Sequence, residues 1–263
     1  MSIFQIIKKI NYFQIIFSGF VGFIIGYIIF SNDKLEIEKK LFKKGKICLV
    51  IDDYGFIFND MVRDFIELDS NLTVAIIPGS PYAQVISNYA DSMNNEIIIH
   101  MPMESNEFNK IDYKINLHEK LNAELVDQKI QLAFDEIPRA IGLNNHQGSK
   151  SMQNLQLMKS IARSLKKRNK FFLDSYTNPT SKGYVTMRQY GVPTQIRQVF
   201  LDHIEFIDKI KYNLDSLVNL SHKMDIAIGI AHVKPMTLEV LKKEIPRLKE
   251  KGYEFVSLSS TVK

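Results

Sequence analysis

The feature that most constrains this chain is a repeated alternation: a short apolar run rich in β-branched residues, a helical stretch, then another such run. The runs fall at residues 47–51, 72–77, 97–99, 140–143, 171–173, 199–201, 226–230 and 255–258. Apolar runs of this length suit strands buried on both faces, the condition of a parallel sheet. Amphipathic segments separate them. Residues 152–168 place Leu155, Met158, Ile161, Ala162 and Leu165 at helical spacing and end in Lys166, Lys167 and Arg168. Residues 237–251 read as another helix, with Thr237 as cap, Pro246 as a kink and Gly252 as the stop. Residues 104–120 are polar and read as a long loop after the third strand, a kind of segment often tied to function. Strand–helix alternation with seven or eight strands predicts a parallel α/β fold. The number of units favours a distorted (β/α) barrel over an open sheet.

The residues just past each run are chemically uniform. The first run ends in Asp52 and Asp53, the third in His100, and the fourth in Asn144, Asn145 and His146. The fifth ends in Asp174 and Ser175, the sixth in Asp202 and His203, and the seventh in His232. In a parallel barrel all these positions lie at the carboxyl ends of the strands, the face on which such enzymes carry their sites. Four of the six histidines, His100, His146, His203 and His232, fall there; His118 and His222 read as solvated helix residues. An ionisable group at the end of a buried strand must be paired, hydrated or metal-bound. Any one of them serves equally well as a cap or turn former. Carboxylates and imidazoles converging on one mouth make a metal site with spare groups for acid–base work.

Other chemistries lose their support. There is no GxGxxG and no GxxxxGK[ST], so the dinucleotide and P-loop readings lack their fingerprints. The single cysteine, Cys48, sits inside an apolar strand and reads as a small buried hydrophobe. The formal charge of +5 is carried wholly by residues 1–46, where eight lysines face three acidic residues. The remainder is neutral overall and has no basic bias towards nucleic acid.

Residues 12–30 carry no charge over 19 positions, about what is needed to cross a ~30 Å hydrocarbon core. Lys8 and Lys9 precede the run and no small-residue cleavage site comes after it, which predicts a retained transmembrane signal anchor. Gly22 and Gly26 form a GxxxG, a weak signal for self-association through the span. The expected organisation is an anchor at 1–31, a charged linker at 32–46 and one domain at 47–263. Six lysines after the span against two before it would place the domain in the cytoplasm on the positive-inside rule, but long domains translocate largely regardless of charge.

Six motifs in order carry a family resemblance: IDDYG (51–55), HMPME (100–104), NNHQGS (144–149), FLDS (172–175), RQVFLD (197–202) and AHVKPMT (231–237). The series resembles the divergent polysaccharide deacetylases and covers about residues 45–260. The resemblance implies a deacetylase-type barrel with a divalent metal, usually Zn2+, in the inner membrane with its domain facing the periplasm or cell exterior. It implies removal of acetyl groups from N-acetylated sugars of an envelope glycan. Carried over, Asp52 is the general base and Asp53 a metal ligand, with His100 and His146 as the other two ligands. His232 would protonate the leaving amine, with Asp202 or Asp174 orienting it, and Arg197 would pair with a site carboxylate. A backbone N–H near Asn145 or Gly148 would meet the oxyanion, and Asn145 and Ser149 join the supporting or substrate-binding residues. The chain departs from the family pattern at Tyr176, where relatives carry Arg, and at Ala231, where Gly is usual. The rival readings are a non-catalytic envelope protein that keeps the fold and binds glycan or a cell-wall partner, and a different metal-dependent hydrolase such as an esterase.

Overall fold

The computed structural model describes residues 44–107 and 113–262, together with Gly22, Gly26 and Tyr27. Residues 1–43 and 44–263 form two separate units, and all the described strands belong to the second. The predicted transmembrane segment lies outside the described residues but for Gly22, Gly26 and Tyr27. Among the described residues no helix is long and apolar enough to cross a membrane. Nothing lies within 4 Å of the Cβ position of Gly22 or Gly26.

Among the described residues, the second unit holds nine strands and seven α-helices, largely in alternation. The strands are β1 (Lys46–Tyr54), β2 (Thr73–Ile76), β3 (Glu96–Met103), β4 (Gly142–Gln147), β5 (Phe171–Asp174), β6 (Thr194–Ile196), β7 (Val199–Phe200), β8 (Ile226–His232) and β9 (Glu254–Phe255). The helices are α1 (Asp60–Glu67), α2 (Ala83–Ser92), α3 (Ala123–Glu136), α4 (Leu155–Lys167), α5 (Gly183–Gln189), α6 (Ile207–Met224) and α7 (Pro235–Glu250). The sheet order is β6-β5-β4-β3-β2-β1-β8-β7, with β9 against β1, and every pairing is parallel. The two ends of that path, β6 and β7, are consecutive pieces of chain separated only by Arg197 and Gln198. One bent segment thus pairs with β5 on one side and β8 on the other, which draws the sheet round into the expected distorted barrel.

Burial on both faces produced the apolar runs. Ile47, Leu49 and Ile51 pack outward in the large core shared with the helices, whereas Cys48 and Val50 belong to a smaller interior cluster with Ala75, Ile98, Leu173, Ile228 and Ile230. The two-residue period of a strand therefore assigns each position to a side. The predicted helix at 152–168 begins at Leu155, because Asn154 caps it by accepting a hydrogen bond from the Leu157 N–H. The final helix begins earlier than predicted, at Pro235. Thr237 is not its cap: its buried hydroxyl donates to Asp202 instead. β6 matches no predicted run, since TQI is short and half polar.

Candidate metal centre and active site

Counting by twos along the interior face leads straight to the mouth. Cys48 and Val50 are followed by Asp52, Ile98 by His100, Ile228 and Ile230 by His232, and Leu173 by Ser175. Asp53 is out of step and would face the helices in a regular strand. The β1–β2 register slips between Ile51 and Tyr54, and Asp53 adopts φ +69°, a left-handed conformation that Asp tolerates better than most residues. This kink turns Asp53 back towards the mouth, so that two successive carboxylates face one cavity.

Asp53, His100 and His146 converge there. His100 Nε2 lies 3.1 Å and His146 Nδ1 2.9 Å from Asp53 Oδ1, and the two ring nitrogens are 3.0 Å apart. Three donor atoms at the corners of such a triangle can all reach one ion at the ~2.0–2.2 Å usual for zinc. Asp53 Oδ1 is buried and makes no hydrogen bond, an orphan that a cation would satisfy. The remaining ring nitrogens are fixed by neighbours. Asn144 Oδ1 accepts from His100 Nδ1 at 2.8 Å, and His146 Nε2 meets the Tyr113 hydroxyl at 2.8 Å. Each contact holds its imidazole with the other nitrogen turned to Asp53, the kind of support that orients metal-binding histidines. The donor set, one carboxylate and two imidazoles, fits a divalent metal with an open position.

Asp52 is 2% exposed and accepts from Asn144 Nδ2 at 2.8 Å. Asn144 therefore bridges Asp52 and His100, reaching past β2 and β3 to do so. Burial raises the Asp52 carboxyl above its ordinary range, against the opposing pull of His100, His232 and Asn144. Burial also opposes ionisation of Asp53, but His100 and His146 more than offset it and hold that carboxyl well below the usual range. Burial lowers His100 less than Asp52 and Asp53 raise it, which leaves it at about 8. For His146 burial wins and its pKa falls.

On the opposite wall, Asp202 is fully buried and devoted to His232. It accepts from His232 Nδ1 and from the His232 backbone N–H, both at 2.8 Å, and from Thr237 Oγ1 at 2.8 Å. Burial depresses the His232 pKa, but Asp202 and Asp53 outweigh it and the net shift is upward. His232 stands directly across the β1–β8 pairing from Asp52, with Nε2 4.0 Å from Asp53 Oδ2. Both walls line a cavity of about 280 Å³ that also includes Asn145, Gln147, Ser175, Thr177, Arg197, Phe200 and Ile230.

Several expectations need correction. Asp174 does not orient His232. Its side chain falls on the outer phase of β5, where it accepts from the backbone N–H groups of Tyr176 and Tyr184 and from Ser181 Oγ at the start of α5. A Cβ on Gly183 would stand 2.6 Å from Asp174 Oδ2, so the close approach needs glycine. Arg197 lines the cavity but makes no salt bridge with a carboxylate among the described residues; it donates to the carbonyls of Ser175 and Tyr176 at 2.7 and 3.0 Å. Asn145, by contrast, does line the cavity, and it ties strand ends together, accepting from the Ser175 N–H and donating to the Gln147 carbonyl. Ser149 does not line the cavity; it accepts from the Asn106 N–H and holds the loop after β3. His203, at a strand end like the others, is exposed and outside the site. Two contributors were not assigned roles from sequence. Asn144 was readable as the first residue of NNHQGS, in phase with His146. Tyr113 carried no signal beyond its place in the long polar loop.

The family model described as "Divergent polysaccharide deacetylase" matches residues 49–262. The uncharacterized protein YibQ of Escherichia coli (strain K12) is 29% identical over 204 residues, 78% of this chain and 63% of its own. This chain thus spans under two thirds of that relative. An uncharacterized protein of Haemophilus influenzae Rd is 32% identical over 209 residues, 80% of this chain and 74% of its own. The crystal structure of uncharacterized protein ATU2773 from Agrobacterium tumefaciens C58 superposes with a TM-score of 0.79 at 19% identity, covering 83% of this chain and 89% of that one.

Proposed function

Since the chain belongs to the divergent polysaccharide deacetylase family, we propose that it is a metal-dependent hydrolase that removes acetyl groups from N-acetylated sugars. The observation that supports this most is the meeting of three sets of groups in one cavity: the Asp53–His100–His146 triangle, the buried Asp52, and the Asp202–His232 pair. Asp53, His100 and His146 would hold the metal, zinc best fitting one oxygen and two nitrogen donors. The chemistry such an ion supplies when bound is polarisation of the acetyl carbonyl and a lower pKa for the attacking water.

The chain's own residues supply the proton transfers. Asp52 takes a proton from the attacking water as general base, and Asn144 holds one of its oxygens in place. His232 gives a proton to the leaving amine from Nε2, because Asp202 engages Nδ1 and favours the charged ring. The substrate is an envelope glycan or oligosaccharide, and the uncharged run at 12–30 anchors the domain at the inner membrane, facing outward. A non-catalytic glycan binder would leave Asp52 without a task beside the triangle. The test is acetate release from N-acetylglucosamine oligomers by the zinc-loaded full-length chain, against Asp52→Asn. Release by the wild type that disappears in the variant is the expected result. Equal release by both would remove Asp52 as the base, and no release by either would favour the binder.

A further inference from the structure

Nine buried side-chain atoms among the described residues have no hydrogen-bond partner, and only two of them, Asp53 Oδ1 and Ser175 Oγ, belong to residues that line the cavity. The first is accounted for by the metal triangle. The second is engaged neither by the triangle nor by the groups that move protons. Ser175 comes after β5 on the interior phase set by Leu173 and is only 5% exposed. Its backbone is pinned from both sides: its N–H donates to Asn145 Oδ1 at 2.9 Å, and its carbonyl accepts from Arg197 Nε at 2.7 Å. The residue is held rigidly, and the hydroxyl is its one polar group left over.

Buried hydroxyls are normally satisfied, because an unmade hydrogen bond loses what water would have supplied. A serine kept at a cavity wall without a partner, between two residues that fix its backbone, is arranged for a ligand. We propose that Ser175 Oγ hydrogen-bonds a polar group of the N-acetylated sugar whose acetyl lies over the Asp53–His100–His146 triangle, and so sets how that sugar sits. A hydroxyl both donates and accepts, which suits the mixed edge of a sugar ring or its acetamido group. The proposal rests on the deacetylase reading for the identity of the ligand.

The test measures binding, so that it does not depend on turnover. Titration calorimetry would follow the N-acetylglucosamine tetramer binding to zinc-loaded Asp52→Asn and to Asp52→Asn/Ser175→Ala, with melting temperatures of both. Loss of one hydrogen bond in the bound state should weaken affinity about tenfold. The melting temperature should hold or rise, because the serine hydroxyl makes no bond to the protein. Unchanged affinity would overturn the proposal. So would a clear fall in melting temperature, which would reveal a structural partner, or failure of the tetramer to bind either protein. Acetate release by the wild type is read separately. Ser175-dependent binding without acetate release would sink the deacetylase reading and leave Ser175 as a glycan contact. Acetate release with unchanged Ser175→Ala affinity would do the reverse.

Discussion

Asp52 and Asp53 are neighbours in sequence yet differ in backbone, burial and partners, and those differences separate their expected variants. Asp52 continues the interior phase of β1, while Asp53 reaches the same mouth only through its left-handed kink. Asp52→Asn should keep metal and lose about 10²–10⁴-fold in acetate release, since an amide cannot take the water proton. Asp53→Asn should lose metal and activity together without unfolding, because Asn also tolerates positive φ. Metal content measured beside the rate distinguishes the two. Asn144 yields a subtler expectation. Its side chain bridges His100 and Asp52, which also lie 3.6 Å apart directly. Asn144→Ala should weaken zinc affinity by about 10–100-fold, the usual cost of losing a group that orients a ligand. Wild-type affinity in a folded Asn144→Ala protein would show that His100 needs no such support.

Among the elements, the helix pair α3–α4 is held by a charged clamp well away from the mouth. Asp127 on α3 accepts from Ser164 Oγ of α4 at 2.7 Å, pairs with Arg168 just past the end of α4, and lies 3.4 Å from Lys167. Arg168, assisted by Ser164 and Lys167, holds the Asp127 carboxyl well below its ordinary range despite partial burial. A carboxylate whose folded pKa is depressed adds stability above its unfolded value of ~3.9, and that stability is lost as pH falls through the folded value. Asp127→Asn should therefore lower stability at neutral pH by about 0.5–1 kcal/mol, since the group is partly solvated. The gap should shrink steadily as pH falls below about 4. Urea unfolding across that range measures it, and a pH-independent gap would assign the effect to helix packing rather than charge.

At the scale of the whole molecule, the metal triangle joins β1, β3 and β4 across the mouth of the barrel. An ion that binds only when those strands are assembled stabilises the entire fold. At a free concentration 1,000 times its dissociation constant the gain is about 4 kcal/mol. Zinc should raise the melting temperature of the wild type, a chelator should reverse the rise, and Asp53→Asn should show neither response. The proposed anchor belongs to this scale as well. Full-length protein should sediment with membranes and resist extraction by high salt, and recovery of the uncut chain from the soluble fraction would rule the anchor out.

The sequence alone determined the alternation of strands and helices, because strands covered on both faces must be apolar and strands in such a fold must be spaced by helices. Counting by a strand's period of two places Asp52, His100, Asn144, His146 and His232 each on one face of its strand, but runs apolar on both sides leave the packing to decide that this face is the interior one. That counting could not place Asp53, whose approach depends on a register slip against β2. Nor could it separate His203 from its three converging counterparts, since its strand ends at Phe200 and the chain turns outward into solvent. Asp174 and Asp202 look alike at strand ends. Asp174 falls on the outer phase of its strand and takes the packing of α5, whereas Asp202 takes that of His232 and Thr237. Tyr113 arrives from a loop with no period to read, and β6 is too short and polar to announce itself. Local pattern fixes which face a side chain takes; which strangers meet across the mouth is decided by how the barrel closes.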